Sequence, residues 1–149
     1  MFLLMLFLII TAEAQNRRYL SSENSVKGHC IGTGKQGHKL IESWGWAKKD
    51  KHAVEEAEKN AIVGIIFHGY PGTGQAGEVR PIIPIEMQKD VMDKNTAFFD
   101  EFFSRADKYL SFIVNADNIN KTIKDKRKRG KGWEVLIVAE IRYDALRKY

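Results

Sequence analysis

The sequence is poor in cysteine and in proline, and each shortage narrows the range of structures that the chain can form. Cys30 is its only cysteine, so the chain can form no internal disulfide. Only three prolines interrupt its 149 residues, which leaves most of the chain free to form regular helices and strands. Nineteen acidic residues against 24 Lys and Arg give a formal charge of +5. A chain of this length is enough for one domain stabilised by its hydrophobic core.

The sequence also has no hydrophobic run long enough for a bilayer-spanning helix, which needs about 20 apolar residues. The run at 2–10 has nine, and the sequence A-E-A follows at 12–14. This pattern is typical of a secretory signal peptide, although no Lys or Arg precedes the run; a buried strand or helix is the alternative. No cysteine follows that could carry a lipid, so we expect an exported protein, periplasmic or secreted, that is soluble after cleavage. The expected division is a signal peptide at 1–14, a polar leader at 15–25 and a single domain at 26–149.

A β-hairpin is predicted at the start of this domain. Two alternating segments, SVKGHCIG at 25–32 and KLIESWGWA at 39–47, flank a polar turn rich in glycine. Because neighbouring residues of a strand point to opposite faces, one face of the hairpin carries mostly small residues, among them Cys30 and Gly45. The other face is aromatic and polar, with Lys27, His29, Ile31, Leu40, Glu42, Trp44 and Trp46.

Two helices are predicted after the hairpin. The first, at 50–69, has a stripe of Ala53, Ala57, Ala61 and Gly64, which allows close packing on the small face of the hairpin. The second, at about 94–107, carries four phenylalanines on one side. The segment between them is predicted to be an extended loop because it holds all three prolines.

Two further strands are predicted, at 109–116 and 132–146, with the basic run between them forming a loop. The order β-β-α-α-β-β favours an α+β two-layer sandwich. We expect a mainly antiparallel four-stranded sheet with two helices on one face.

Two glycine motifs, GTGKQG at 32–37 and GTGQAG at 72–77, match the dinucleotide-binding pattern G-x-G-x-x-G. A dinucleotide site needs a strand, the glycine turn and then a helix whose N-terminus faces the pyrophosphate. The first motif precedes a predicted strand and the second precedes a segment with prolines. We interpret both as turns, and expect neither a nucleotide nor another cofactor.

No catalytic motif is found. His29 cannot activate Cys30, because the two are neighbours on a strand and point to opposite faces. Cys30 is predicted to be a buried, unreactive thiol. The four histidines have no close metal-binding spacing, although a cluster formed only in the fold stays open; they are His29, His38, His52 and His68. The protein is therefore predicted not to be an enzyme. A hydrolase or thiol enzyme is the least favoured hypothesis.

The aromatic hairpin face is the first candidate for binding. Exposed aromatic side chains with a charged rim are typical of protein-recognition surfaces. The alternative is that the phenylalanine-rich helix covers this face and makes the tryptophans core residues. The candidate partner-binding residues are His29, Glu42, Trp44 and Trp46.

The basic run at 121–131 is the second candidate, with seven Lys or Arg against one Asp. It is either a solvated hairpin tip that discourages edge-to-edge pairing or a contact for a polyanion or a membrane surface. No aromatic residue is interleaved, so we expect no specific nucleic-acid binding. The candidate polyanion-binding residues are Lys124, Lys126, Arg127, Lys128, Arg129 and Lys131.

The strand and small-residue helix in ESWGWAKKDKHAVEEAEKNAIVGIIFHG resemble a type of small exported α+β domain. Such domains occur in bacterial outer-membrane lipoproteins, in the N-terminal domain of the flagellar assembly protein FlgT and in exported proteins of Bacteroidetes. The resemblance covers about residues 26–69. It implies an assembly or scaffolding component of the cell envelope rather than an enzyme. The lipoproteins' lipid-attachment cysteine is missing here, so a membrane anchor is not implied. The function expected is binding of an envelope protein partner, or self-association.

Overall fold

The structure, a computed structural model, describes residues 27–126 and 129–149, without the side chains of residues 125 and 126. The predicted signal peptide and polar leader lie outside the described residues. So do Arg127 and Lys128 of the basic run, and the side chain of Lys126.

A four-stranded antiparallel sheet forms one layer of the fold, in the order β1-β2-β4-β3. Its strands are β1 (Gly28–Gly32), β2 (Lys39–Ala47), β3 (Ile113–Lys126) and β4 (Gly130–Ile141). The predicted β1–β2 hairpin is confirmed, with His29 opposite Glu42 and Cys30 opposite Ile41. β2 has the predicted bounds. β2 and β4, the strands with the clearest alternation of apolar residues, are the two central strands of the sheet.

The helices form the second layer, and the predicted α+β two-layer class is confirmed. They are α1 (Asp50–Val63), α2 (Ile85–Lys94), α3 (Thr96–Ser104), α4 (Ala106–Leu110) and α5 (Tyr143–Lys148). A π-helical segment (Gly64–His68), which we call the π segment, continues α1. Together α1 and the π segment match the first predicted helix. The second predicted helix is divided into α3 and α4 at Arg105, whose backbone is extended.

α1 lies unusually close to the sheet because small residues face each other across the interface. Ala53 and Ala57 are fully buried. A Cβ atom added at Gly45 would collide with the backbone carbonyl oxygen of Ala53 and the amide nitrogen of Ala57. The buried Ser43 hydroxyl donates to the carbonyl of Ala57 at 2.9 Å. The predicted packing of the small-residue helix on the small hairpin face is therefore confirmed.

The phenylalanines of α3 pack on the same side of the sheet as α1. Phe99 and Phe103 lie 5.5 and 6.4 Å from Phe67 of the π segment, and Phe102 lies 6.1 Å from Phe112, measured between ring centroids. These rings belong to the core that α1 also enters. The alternative in which this helix covers the tryptophan face is therefore wrong.

Two predicted boundaries are corrected around the basic run. β3 begins at Ile113 rather than at 109 and continues to Lys126, so residues 121–126 are strand rather than loop. They pair with β4, as Lys121 does with Val135. Backbone pairing to an apolar neighbouring strand outweighs the low strand propensity of the charged residues, and the side chains of Lys121 and Lys124 are exposed at the sheet edge.

The end of β4 and the start of α2 also differ from the prediction. β4 ends at Ile141, and the predicted end of the strand at 143–146 lies in α5 instead. The amide of Arg142 donates to the carbonyl of Phe112 at 2.8 Å, which anchors this reversal of the chain. α2 was not predicted, because Pro84 ends an extended stretch and at the same time precedes the first residue of the helix.

Candidate binding surface

The face of the sheet opposite α1, which we call the open face, carries the predicted aromatic hairpin residues. Its residues are His29, Leu40, Glu42, Trp44 and Trp46 together with Glu134, Leu136, Val138 and Glu140. Trp44 lies opposite Leu136, and Glu42 lies opposite Val138. None of these four is fully buried.

The two tryptophans differ sharply in accessibility. Trp44 is half-buried, with the Lys124 ammonium 5.9 Å from its ring centroid. Trp46 is only 4% exposed. The Arg129 guanidinium lies 4.6 Å from the Trp46 centroid, and a Cβ at Gly132 would come within 2.6 Å of the same ring. Trp46 therefore lies on the predicted face but is covered by the β3–β4 hairpin, and it supports the surface rather than contacting a partner.

Arg129 is held by two contacts at once. Besides stacking on Trp46, its guanidinium lies 3.8 Å from the carboxylate of Glu56 on α1. Cations over an indole ring gain about 0.5–1 kcal/mol at exposed sites. Arg129 thus links the hairpin, the open face and α1.

Ion pairs surround the apolar centre of the open face. Lys124 pairs with Glu134, whose side chain is almost completely buried. The imidazole of His38 lies 2.7 Å from Glu140, and that of His29 lies 3.8 Å from Glu42. The hydrogen bond to His38 lowers the pKa of the Glu140 carboxyl. Each acidic side chain of the open face therefore has a basic side chain beside it.

The predicted polyanion-binding residues are not equivalent in the structure. Lys124 and Arg129 are turned onto the tryptophans and paired with glutamates. Lys131 is exposed, opposite Asp125 in the hairpin. Lys121 pairs with Asp50 at 2.8 Å, and its hydrogen bond lowers the pKa of that carboxyl. The two surfaces predicted separately are neighbours, since basic residues of the hairpin form one border of the open face.

The residues considered for chemistry are dispersed. Cys30 is 1% exposed and its thiol donates to the carbonyl of Gly32 at 3.5 Å, so the predicted burial is confirmed. His52 pairs with Glu55 on α1, and His68 ends the π segment. Within residues 27–126 and 129–149, no three His, Cys, Asp or Glu side chains come together in a way that could hold a metal ion. In the same part of the chain, no helix is long and apolar enough to cross a membrane.

The two glycine motifs lie in turns, as predicted. The first connects β1 to β2, where Gly34 and Gly37 have positive φ angles of 45° and 78°. The second contains Gly74, with φ of 60°, in the loop before α2. These conformations favour glycine, which explains its use without a nucleotide.

A pocket on another part of the molecule was missed by the sequence analysis. An apolar pocket lies between the π segment, α3 and α5, and Phe98, Phe102 and Leu146 contribute to its lining. Its walls come from segments far apart in the chain, so no local pattern could predict it. The phenylalanine stripe of α3 was the one visible signal, but a stripe on one helix does not show which other segments complete a pocket around it.

The chain matches no protein-family model, no curated protein and no solved structure. The resemblance to exported envelope domains stays a prediction.

Proposed function

We propose that this protein is an exported, non-enzymatic binding module of the bacterial cell envelope, which recognises a protein partner through the open face. One observation carries the proposal: Trp44, Leu136 and Val138 form a partly accessible apolar centre on the sheet face opposite α1. Binding energy at protein interfaces is concentrated in a few central residues, often Trp, that are surrounded by polar groups excluding water. The ion pairs at Glu134 and Glu140 would form such a rim.

Trp44 is the anchor in this proposal. Its indole is held on one side by the strand pairing with Leu136 and on another by Lys124, so little rotamer freedom is lost on binding. Trp46 is covered by Arg129, so it supports the surface from below and does not contact the partner. His29 and Glu42, on the edge side of the same face, would contact the partner at the rim.

The partner's chemistry follows from the border of the face. The hairpin next to Trp44 is rich in Lys and Arg, so a partner segment with an apolar side chain flanked by Asp or Glu would be complementary. Such a segment can pair with the exposed Lys131, while Lys124 keeps its pairing with the buried Glu134. Self-association would need the same acidic complement on a second copy.

Site-specific photocrosslinking in the producing cells tests the proposal. A photoreactive amino acid at position 44 should capture one defined protein, whereas the same residue at position 87, which is exposed on α2, should not. Leu136→Asp should abolish the adduct by placing a charge in the apolar centre. The proposal is wrong if position 87 captures the same protein, or if the Leu136→Asp variant keeps its fold by circular dichroism and still crosslinks.

Export is tested separately. We expect the mature protein to begin at Gln15 and to fractionate with the periplasm or the medium. N-terminal sequencing of the purified protein measures this directly. An intact N-terminus in the cytoplasm would remove the envelope from the proposal while leaving the open face to be tested.

Polyanion binding by the basic hairpin is the second candidate, favoured by the exposure of Lys131 within a run of seven cations. Binding of this kind weakens steeply with salt. Retention on heparin should then fall when Arg127, Lys128 and Lys131 are changed to Gln, and remain unchanged for Lys89→Gln on α2. Equal retention of both variants would contradict it.

A further inference from the structure

The apolar pocket described above owes its shape to the π segment. A π-helical turn closes hydrogen bonds over five residues, as the amide of Gly69 does with the carbonyl of Gly64 at 2.7 Å. The carbonyls of Ile65 and Ile66 then accept from the amides of Ile82 and Ile83 at 3.0 and 2.9 Å. This docking brings the 82–83 segment beside Ile66 as one wall of the pocket. π-helical turns occur frequently at functional sites.

The opposite side of the pocket consists of aromatic side chains. Phe98 and Phe102 are stacked, with ring centroids 6.0 Å apart and 15° between their planes, and Tyr149 lies 5.8 Å from each. Phe98 is 43% exposed and Tyr149 is 61% exposed. Both rings line the pocket and reach solvent, so they mark its mouth. Clustered exposed aromatic side chains beside a concave apolar surface are typical of ligand sites.

Arg147 is the one charged side chain among the residues that line this pocket. It lies in the last turn of α5, and no carboxylate of residues 27–126 or 129–149 forms an ion pair with it. The guanidinium presents a planar fork of N–H donors that matches a carboxylate in a bidentate geometry. An apolar chamber with one guanidinium therefore selects a ligand with an apolar body and a single carboxylate.

The volume limits the size of that ligand. The pocket is partly open to solvent and has a volume of about 160 Å³. An apolar cavity of about 150 Å³ holds one benzene ring. Pockets for drug-sized ligands are larger, about 300–1,000 Å³. The body of the ligand is therefore a single aromatic ring or an acyl chain of about six carbons.

We propose that the pocket between the π segment, α3 and α5 is a binding site for small aryl or short-chain monocarboxylates, with Arg147 holding the carboxylate and Phe98 and Phe102 packing on the apolar body. The site is independent of the open face and of any protein partner. It adds a small-molecule ligand to the proposed binding module.

Titration calorimetry and amide NMR of the purified protein test this site with phenylacetate and with phenylacetamide, its neutral isostere. We expect phenylacetate to bind with a Kd below about 1 mM and phenylacetamide to bind at least about tenfold more weakly. The shifted amides should lie in 82–83, 98–103 and 146–149. Equal affinity for the two compounds, or the absence of saturable phenylacetate binding at about 10 mM, would overturn the proposal.

Three variants separate the roles of the lining residues. Arg147→Gln should weaken phenylacetate about tenfold without changing phenylacetamide, and Phe98→Ala should weaken both. Arg142→Gln, next to α5 but outside the pocket lining, is the matched control and should change neither. Arg147 is exposed, so Arg147→Gln should keep the wild-type thermal midpoint. Phe98→Ala removes ring contacts with Phe102 and Tyr149 and should lower the midpoint without unfolding the protein. If phenylacetate does not bind but a peptide with an internal Phe shifts the same amides, the pocket accepts a protein side chain instead.

Discussion

The two faces of the sheet share the same strands but carry side chains of very different size. The face under α1 carries Ser43 and Gly45 on β2 and admits a helix backbone at close range. The open face carries Trp44 and Trp46 at the alternate positions, and basic side chains lie over the rings. Both faces lie on apolar central strands, so hydrophobicity alone does not distinguish them. The size of the side chains decides which face the helix layer can approach.

The largest effect is expected on the covered face. Gly45→Leu places a side chain into the backbone of α1, which has to move away from the sheet. We expect a loss of about 4 kcal/mol or more in the free energy of unfolding. Urea denaturation measures it. Gly77→Ala is the control, because nothing lies within 4 Å of a Cβ there. Equal stability of the two variants would show that α1 does not pack closely on Gly45.

The next largest effect separates the two tryptophans of the open face. Trp46→Ala should cost about 3 kcal/mol because it leaves a cavity beneath Arg129. Trp44→Ala should cost about 1 kcal/mol, since the ring is only half-buried. Denaturation midpoints of the two variants measure the difference. Equal losses would mean that Trp44 is as much a core residue as Trp46, and would remove it as a partner anchor.

A smaller effect is expected from uncovering Trp46. Arg129→Ala removes the guanidinium from the ring and breaks the contact with Glu56, at a cost of about 1 kcal/mol. The emission of Trp46 should shift to the red and become more sensitive to acrylamide. A Trp44→Phe, Trp133→Phe background isolates this signal. Lys131→Ala, in the same hairpin, should leave it unchanged; an equal response would show that Arg129 is not the cover.

The smallest effect concerns pH. His38 lowers the pKa of Glu140 in the folded protein, so the pair stabilises the fold above the unfolded-state pKa of about 4.3 and loses this contribution as pH falls through the folded value. Glu140→Gln should therefore be less stable than the wild type at about pH 5.5, and the difference should vanish towards about pH 3.

A double-mutant cycle controls this pH effect. In a His38→Ala background, the pH-dependent effect of Glu140→Gln should become smaller, because the hydrogen bond from His38 is absent and only Lys35 still lowers the pKa of Glu140. An undiminished pH-dependent difference there would show that His38 does not stabilise the Glu140 carboxylate.

Local patterns were sufficient for some elements and not for others. β2 and the helix from Asp50 were predictable because alternation and the alanine stripe are read from neighbouring residues. α2 was not, because Pro84 suits both an extended segment and the position before a helix. The extension of β3 to Lys126 was not predictable either, because its charged residues form a strand only through pairing with β4.

Some features of the candidate site could likewise be predicted from local patterns, and others could not. Strand alternation placed Trp44 and Trp46 on one face of the hairpin, and the structure agrees. Alternation could not reveal that Arg129, more than eighty residues away in the chain, covers Trp46. The pocket at Arg147 could not be predicted either, since its lining comes from four separate segments of the chain.

The sequence by itself determined the α+β class, the position of the first hairpin and which side chains share each of its faces, because these depend on periodicities of two and about 3.6 residues within continuous segments. Only the tertiary structure decided that Trp44 is accessible while Trp46 is covered, that basic residues border the open face, and that a π segment shapes an apolar pocket. Exposure and concavity arise from contacts between segments distant in the chain, and no local pattern contains that information.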